Sequence, residues 1–347
     1  MFVYVGCRTT KERKARGKGI KVFEIQKDGK WELKQLVECK ANPSFFCMDE
    51  AKKFLYTVHG DYHEISAFAI HPLTGQLEYL NTVSTEGENP VHLSVDKSNR
   101  WIFVANLQTG TISVIEKKAD GSLGKLHMTY RIPGKSAEYI SHPHQVLQDI
   151  SRKYLLVSCQ GRKHGIGQVV VFRINAEKGE LTETCTRYSR EIAEPRHLVF
   201  HPDGKWCYGV NEKDYSITKY DFDVEKGGLT ARQILPTLPD TYTGDGWASG
   251  IVMSSTGKSV YVSNRKHDSI TTFSISRFDG MLSYVDCISS EGEQPRFITL
   301  MPDCTRLLAA NELSDTLTLF KIDKRNGRLS FCGESIATES PVCVLCK

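Results

Sequence analysis

The sequence lacks the features that mark membrane, secreted or disordered proteins. No apolar run is long enough to cross a membrane, and the opening residues Met1 to Val5 have neither the charged start nor the cleavage site of a secretory signal. No tract has a biased composition, and 25% of the 347 residues are charged. We therefore expect a cytoplasmic globular protein that does not insert into membranes.

A strong excess of one charge is also missing. The 45 lysines and arginines exceed the 41 aspartates and glutamates by so little that the net charge is +4, and the basic residues are scattered along the chain. A nucleic-acid-binding protein would carry a concentrated basic surface. The small, scattered net charge therefore argues against a nucleic-acid partner and is compatible with a mild preference for anionic ligands.

Cysteine, histidine and serine form none of the common reactive motifs. The eleven cysteines are odd in number and lie mostly in strand-like segments, as expected for small buried side chains in a reducing compartment. Cys343 and Cys346 lie three apart in such a segment, so their side chains point to opposite faces. His142 and His144 have no evident third ligand, and there is no Gly-x-Ser-x-Gly elbow. We therefore expect no disulfide, metal, cofactor or serine nucleophile.

What the sequence does contain is a repeat of about 50 residues, a period typical of propellers and other repeat arrays. One signal is a glycine turn that a leucine follows closely, with its glycines at Gly29, Gly75, Gly121, Gly179, Gly227, Gly280 and Gly327. The other is the start of an apolar run, at Pro43, Pro90, Pro143, Pro195, Trp247, Pro295 and Pro341. Each signal occurs seven times, which predicts seven repeats.

Each repeat fits a four-stranded antiparallel blade. The clearest repeat has alternating segments at 195–200, 206–210, 217–221 and 229–234. The last repeat has room for one strand after Ser340, while the amino terminus supplies segments 2–6, 19–25 and 33–38. The prediction is an all-β, seven-bladed β-propeller that forms a single domain over residues 1–347. Its last blade is closed by the N- and C-terminal strands, which leaves no open sheet edge.

One mouth of this propeller gathers polar residues. In an antiparallel blade, the start of the first strand and the end of the second lie at the same end of the sheet. That end collects His142, His144, Arg196, His197, Arg296, Asn211, Glu212, Asn264 and Arg265. The longer connections 131–141, 183–194 and 236–246 emerge there too, and long loops on one face of a rigid scaffold commonly carry function. We expect the functional site at this mouth.

Four segments carry a resemblance to a known family: 141–145 (SHPHQ), 194–198 (EPRHL), 208–212 (YGVNE) and 261–270 (YVSNRKHDSI). Together they resemble the seven-bladed propeller lactonases, which include 6-phosphogluconolactonases and 3-carboxy-cis,cis-muconate lactonizing enzymes. The resemblance spans the whole chain and implies a catalytic set of His144, Arg196, Glu212 and Arg265. The chain departs from the family pattern at Gly250, where an acidic residue is common, and at Phe297, where glycine is common.

The chemistry of these residue types fits lactone hydrolysis. The reaction needs an activated water, and Glu212 or His144 is a candidate general base. It also needs stabilisation of an oxyanion and a handle for an anionic substrate, which Arg196 and Arg265 supply through charge-assisted hydrogen bonds. Further substrate-binding candidates are His142, His197, Asn211, Asn264 and Arg296. The leading hypothesis is a hydrolase of carbohydrate metabolism that acts on a small anionic sugar lactone such as 6-phosphogluconolactone without a metal.

Other interpretations are compatible with the same residues. The arginines would equally hold the carboxylates of a carboxymuconate, which makes a cycloisomerase the nearest alternative. A propeller can also be a non-catalytic binding scaffold, because a fold does not fix a function. Asn-Glu and Asn-Arg pairs after strands also serve as hydrogen-bonded links between blades. The expected oligomeric state is a monomer or a weak homo-oligomer.

Overall fold

A computed structural model describes all residues, 1–347, and contains seven four-stranded antiparallel sheets. Blades 1 to 3 are formed by β4 (Pro43–Met48), β5 (Phe54–His59), β6 (Glu64–Ile70), β7 (Leu77–Ser84); β8 (Pro90–Val95), β9 (Trp101–Asn106), β10 (Thr111–Lys117), β11 (Leu123–Arg131); and β12 (His142–Gln148), β13 (Tyr154–Gln160), β14 (Gln168–Asn175), β15 (Glu180–Tyr188). Blades 4 to 6 are formed by β16 (Pro195–Phe200), β17 (Trp206–Asn211), β18 (Ser216–Asp223), β19 (Gly228–Pro236); β20 (Trp247–Met253), β21 (Ser259–Arg265), β22 (Ser269–Ile275), β23 (Leu282–Ser289); and β24 (Pro295–Leu300), β25 (Arg306–Asn311), β26 (Thr316–Ile322), β27 (Leu329–Ala337).

Blade 7 joins the two termini. It consists of β28 (Pro341–Cys346), β1 (Phe2–Cys7), β2 (Ile20–Ile25) and β3 (Trp31–Val37), in that order across the sheet. Strand β28 pairs antiparallel with β1, with Val5 opposite Val344. The first strands of successive blades are neighbours around a closed ring, with β28 between β24 and β4. The predicted seven-bladed propeller and its closure by both termini are confirmed.

The predicted strand starts are confirmed almost to the residue. Six blades begin at the predicted position, and β12 begins at His142, one residue before the predicted Pro143. In blade 4 the first strand matches its predicted segment, and the other three extend one or two residues beyond theirs because the ladder continues into the flanking residues.

The apolar core lies in layers between adjacent blades. Trp101 and Phe103 of blade 2, for example, pack in one cluster with Leu155 and Val157 of blade 3. Such burial is the main favourable contribution to folding, at about 25 cal/mol for each Å² of apolar surface removed from water.

The repeated glycine turns have a structural cause. Gly280 has φ +70, and a Cβ at this position would lie 2.4 Å from the ring of Trp206 in the preceding blade. The Tyr208 hydroxyl of that blade donates a 2.8 Å hydrogen bond to the Gly280 carbonyl. Equivalent tyrosine to turn-glycine bonds recur at Tyr4 and Gly75, Tyr56 and Gly121, and Tyr261 and Gly327. Only glycine combines this left-handed backbone with so close an approach.

The only helical element is a 3-10 turn at Lys11–Arg13. None of the helical structure is long and apolar enough to cross a membrane.

Candidate active site

Two equivalent positions in each blade supply many of the side chains of the mouth. The first is the residue after the proline of the first strand, which bulges out of the ladder. In blades 3, 4 and 6 this bulged residue is His144, Arg196 and Arg296. A β-bulge redirects a side chain, and bulges are common beside active sites. The bulges therefore explain why these three residues leave the regular alternation of their strands.

The second position is at the end of the second strand. It holds Glu212, Arg265, Glu312 and Arg8 in blades 4, 5, 6 and 7, so the charge alternates around this part of the ring. Each of these residues is beside the start of its own first strand, as the pairing of Pro195 with Asn211 illustrates. The sequence prediction that strand starts and strand ends share one mouth is confirmed.

A cavity of about 580 Å³ opens at this mouth. Sites for small molecules commonly have volumes of about 300–1,000 Å³. Five arginines and three carboxylates line the cavity, namely Arg8, Arg13, Arg162, Arg265, Arg296, Asp61, Glu88 and Glu212. The lining therefore carries an excess of positive charge, which favours an anionic ligand.

Glu212 is the centre of a buried ion cluster. Its Oε2 lies 2.9 Å from Nε of Arg196 and 3.0 Å from Nη2 of Arg265. Its Oε1 accepts a 2.8 Å hydrogen bond from the indole nitrogen of Trp247. Arg196 and Arg265 also donate to the carbonyls of Ser249 and Ala248, at 2.8 and 3.3 Å. Both guanidinium groups are therefore held by hydrogen bonds to backbone carbonyls and by ion-pair contacts with Glu212.

Burial and charge determine the protonation of this cluster. Burial by itself raises the pKa of Glu212, but the charges of Arg265 and Arg196 outweigh burial and hold the pKa far below its usual range. Burial, and then the charge of Arg265, lower the pKa of Arg196. Burial, with a smaller contribution from the charge of Arg296, lowers the pKa of Arg265, although the charge of Glu212 raises it. At neutral pH, Glu212 is therefore an ionised carboxylate between two cationic side chains.

His144 lines the cavity beside this cluster. Only 7% of the residue is exposed, and its Nδ1 is buried without a hydrogen-bond partner. Burial first, and then the charge of Arg196, lower the pKa of this imidazole well below 6.5. A neutral imidazole at neutral pH is able to accept a proton, so the structure leaves His144 in the form that a general base requires.

The other predicted site residues lie behind or beside the cavity. His197 is buried, with its Nδ1 3.2 Å from Nη1 of Arg196 and its ring centroid 5.2 Å from that of His144. His142 is bonded through Nδ1 to the Leu107 carbonyl at 2.8 Å. Of the nine predicted residues, the structure brings His144, Glu212, Arg265 and Arg296 to the cavity wall, with Arg196 directly behind Glu212.

The two asparagines connect strands within their own blades. Asn211 donates to the hydroxyls of Ser216 and Thr218 on the next strand. Asn264 makes the equivalent bonds to Ser269 and Thr271. These contacts position the adjacent Glu212 and Arg265, and neither amide reaches the cavity wall.

Several residues of the cavity wall were not singled out from the sequence, among them Trp247, Arg8 and Asp61. Trp247 stacks on the guanidinium of Arg265 at 4.3 Å in addition to its bond with Glu212. Arg8 and Asp61 form an ion pair at 3.1 Å in the cavity wall. The repeat carried a signal for the first two, because Trp247 replaces a proline at a blade start and Arg8 occupies the position equivalent to Glu212. No group of three or more His, Cys, Asp or Glu side chains is arranged to hold a metal ion.

A family model described as lactonase, seven-bladed β-propeller, matches residues 2–346. The chain belongs to this family. As a lactonase it is an enzyme of the carboxylic ester hydrolase class. The resemblance found in the sequence is therefore confirmed over almost the whole chain.

Individual proteins are similar to the chain over nearly their full length. The 6-phosphogluconolactonase of Bacillus subtilis is 29% identical over 98% of this chain and 97% of that protein. The 6-phosphogluconolactonase of Formosa agariphila is 28% identical over 94% of both. The crystal structure of a protein from Lactobacillus plantarum is 28% identical, with a TM-score of 0.88 over 99% of this chain and 98% of that one.

Proposed function

We propose that this lactonase hydrolyses 6-phosphogluconolactone to 6-phosphogluconate in the mouth cavity, a reaction of the pentose phosphate pathway. The observation that carries the proposal is the buried Glu212, held between Arg196, Arg265 and Trp247 beside a histidine whose Nδ1 has no partner. The names of the relatives from Bacillus subtilis and Formosa agariphila support the choice of lactone. The excess of arginine in the lining supports an anionic substrate.

In the proposed reaction, His144 accepts a proton from a water molecule as the water oxygen attacks the lactone carbonyl carbon. His144 is preferred to Glu212 as the base because both carboxylate oxygens of Glu212 already accept contacts from three donors. The charge of Glu212 favours the imidazolium that forms. A positioned general base typically accelerates a reaction by about 100- to 10,000-fold.

The tetrahedral intermediate carries a negative charge on the former carbonyl oxygen. Arg265 contacts protein acceptors through Nη2, so the rest of its guanidinium remains to donate to this oxygen. The bond between the carbonyl carbon and the ring oxygen then breaks, and the imidazolium of His144 returns its proton to the ring oxygen. The product is an open-chain carboxylic acid, which ionises at neutral pH.

The test is the consumption of freshly generated 6-phosphogluconolactone by the protein, corrected for spontaneous hydrolysis of the lactone. Carboxymuconate and unphosphorylated glucono-δ-lactone are measured in parallel. A rate well above background with 6-phosphogluconolactone, and a lower specificity constant with glucono-δ-lactone, supports the proposal. Turnover of the carboxymuconate without turnover of either lactone would contradict it. The monomeric or weakly oligomeric state and the cytoplasmic location stay predictions.

A further inference from the structure

Arg8 is an unusually buried arginine in the cavity wall. It follows β1, and its backbone amide donates to the Ser340 carbonyl at 3.0 Å, which fixes it to the closed blade. The residue is only 4% exposed, and it lines the cavity. A long cationic side chain is seldom buried to this degree without a complete set of partners.

The protein makes room for the Arg8 guanidinium but does not satisfy it. A Cβ on Gly60 would lie 2.7 Å from Nη1 of Arg8, so glycine leaves the space that the head group occupies. Nη1 contacts Asp61 at 3.1 Å, whereas Nε has no hydrogen-bond partner. Asp61 is shared with Arg13 and with the Asn42 amide. One carboxylate therefore serves two arginines, and Arg8 retains free donors.

Arg296 is a second cation in the wall of the same cavity. Burial, followed by the charge of Arg296, lowers the pKa of Arg8 to about 10. The carboxylate of Glu312 lies 3.5 Å from Arg296 and also accepts a bond from Gln294. No carboxylate is within ion-pair distance of both Arg8 and Arg296.

The other arginine pair of the site, by contrast, has an anion between its two members. Glu212 lies between Arg196 and Arg265 and contacts both of them. The pair Arg8 and Arg296 has no such bridging anion, although both residues line the cavity. An anionic group of a ligand, bound between Arg8 and Arg296, would supply the missing bridging charge.

We infer that Arg8 and Arg296 form a binding subsite for a phosphate dianion at the end of the substrate remote from the lactone ring. This inference rests on the proposed function for the position of the lactone, beside His144 and Glu212. Guanidinium groups bind phosphate oxygens through paired hydrogen bonds, and a phosphate monoester carries about 1.5 to 2 negative charges at pH 7. Arg8 is thus a specificity-determining residue of the lactonase.

The kinetic test compares 6-phosphogluconolactone with glucono-δ-lactone in the wild type and in Arg8→Gln. We expect the ratio of kcat/KM for the two lactones to fall at least about tenfold, mostly through KM of the phosphorylated one, because charge-assisted bonds to phosphate are lost. Arg16→Gln is the matched control, since Arg16 lies in the same loop but pairs with Asp315 outside the cavity. A ratio that Arg8→Gln leaves unchanged would overturn the inference.

A binding measurement separates this inference from the proposed function. Titration calorimetry with inorganic phosphate and with 6-phosphogluconate should give Kd values about tenfold weaker for Arg8→Gln than for the wild type. Gly60→Ala is a second variant, which displaces the Arg8 head group without removing its charge and should weaken binding in the same direction. Equal affinities in all three proteins would contradict the subsite. If the wild type hydrolysed neither lactone, the proposed function would be wrong, and these affinities would still decide the subsite.

Discussion

The indole nitrogen of Trp247 donates a 2.8 Å hydrogen bond to Oε1 of Glu212, and the same indole ring lies 4.3 Å from the guanidinium carbon of Arg265. One side chain thus fixes both an anion and a cation of the buried cluster. Trp247 opens blade 5 in the place where the other blades have a proline at or next to the strand start. We assign it as a positioning residue for Glu212 and Arg265.

Trp247→Phe tests that assignment. Phenylalanine retains an aromatic face for Arg265 but cannot donate to Glu212, and a hydrogen bond to a charged group contributes about 1.5–3 kcal/mol. We expect kcat with 6-phosphogluconolactone to fall at least about tenfold, with a smaller change in KM. Trp101→Phe is the matched control, since the Trp101 indole donates a 2.8 Å bond to the Ala176 carbonyl away from the cavity. Equal losses of kcat in both variants would argue against the assignment.

Glu212→Gln should impair both activity and stability. Removing one partner of a buried ion pair leaves uncompensated charge, here on Arg196 and Arg265, and costs about 3–5 kcal/mol. We expect activity to fall to the background rate and the free energy of unfolding to fall by that order in urea titrations. Glu312→Gln, the equivalent change in blade 6, should cost less stability because the carboxylate of Glu312 is 3.5 Å from Arg296 and forms no ion pair with a second arginine. An equal loss in both variants would contradict the special role of Glu212.

The stability contributed by Glu212 should depend on pH in a defined direction. The pKa of Glu212 in the folded protein is below its usual 4.5, so the ionised form stabilises the fold. This contribution is fully present above pH 4.5 and is lost as the pH falls through the lower folded-state pKa. The difference in unfolding free energy between wild type and Glu212→Gln should therefore be constant from pH 7 to 5 and shrink only in more acidic buffer. A difference that shrinks between pH 7 and 5 would contradict the depressed pKa.

The pH dependence of catalysis tests the role of His144. A base acts only in its unprotonated form, and burial with the charge of Arg196 lowers the pKa of His144 below 6.5. The acid limb of kcat/KM should therefore lie below pH 6.5. The profile is recorded with glucono-δ-lactone, since a phosphate group itself titrates near about pH 6. His144→Gln should remove the limb along with most of the rate, and a limb above pH 6.5 in the wild type would contradict the assignment.

The repeat made most of the fold predictable from the sequence. The glycine turns and the opening prolines recur because each blade needs the same backbone geometry, so seven starts and the split last blade could be derived. The same periodicity placed His144, Arg196 and Arg296 at one mouth, and the structure confirms this common location. The periodicity of the sequence did not predict the direction of each side chain, because that direction depends on the bulges and on contacts with neighbouring blades.

Arg8 and Asn264 illustrate the two kinds of residue that the pattern left ambiguous. Arg8 belongs to the blade whose strands come from both termini, so its equivalence with Glu212 shows in the repeat only when β1 is counted as the second strand of that blade. Asn264 is at the predicted mouth, but its amide is occupied by hydroxyls of the next strand. Such contacts join residues of different strands and blades, and residue types along the chain do not specify them.

The most direct test of the account compares Arg196→Ala with the wild type in the consumption of freshly generated 6-phosphogluconolactone. Arg187→Ala is the control, because Arg187 also donates to a backbone carbonyl, that of Leu229, whereas it makes no ion pair with Glu212 or another residue of the cavity wall. Thermal unfolding of all three proteins establishes that they are folded at the assay temperature. The account predicts a wild-type rate well above spontaneous hydrolysis, retained in Arg187→Ala and reduced to near background in Arg196→Ala. A folded Arg196→Ala protein with wild-type turnover would contradict the claim that this cavity is the active site.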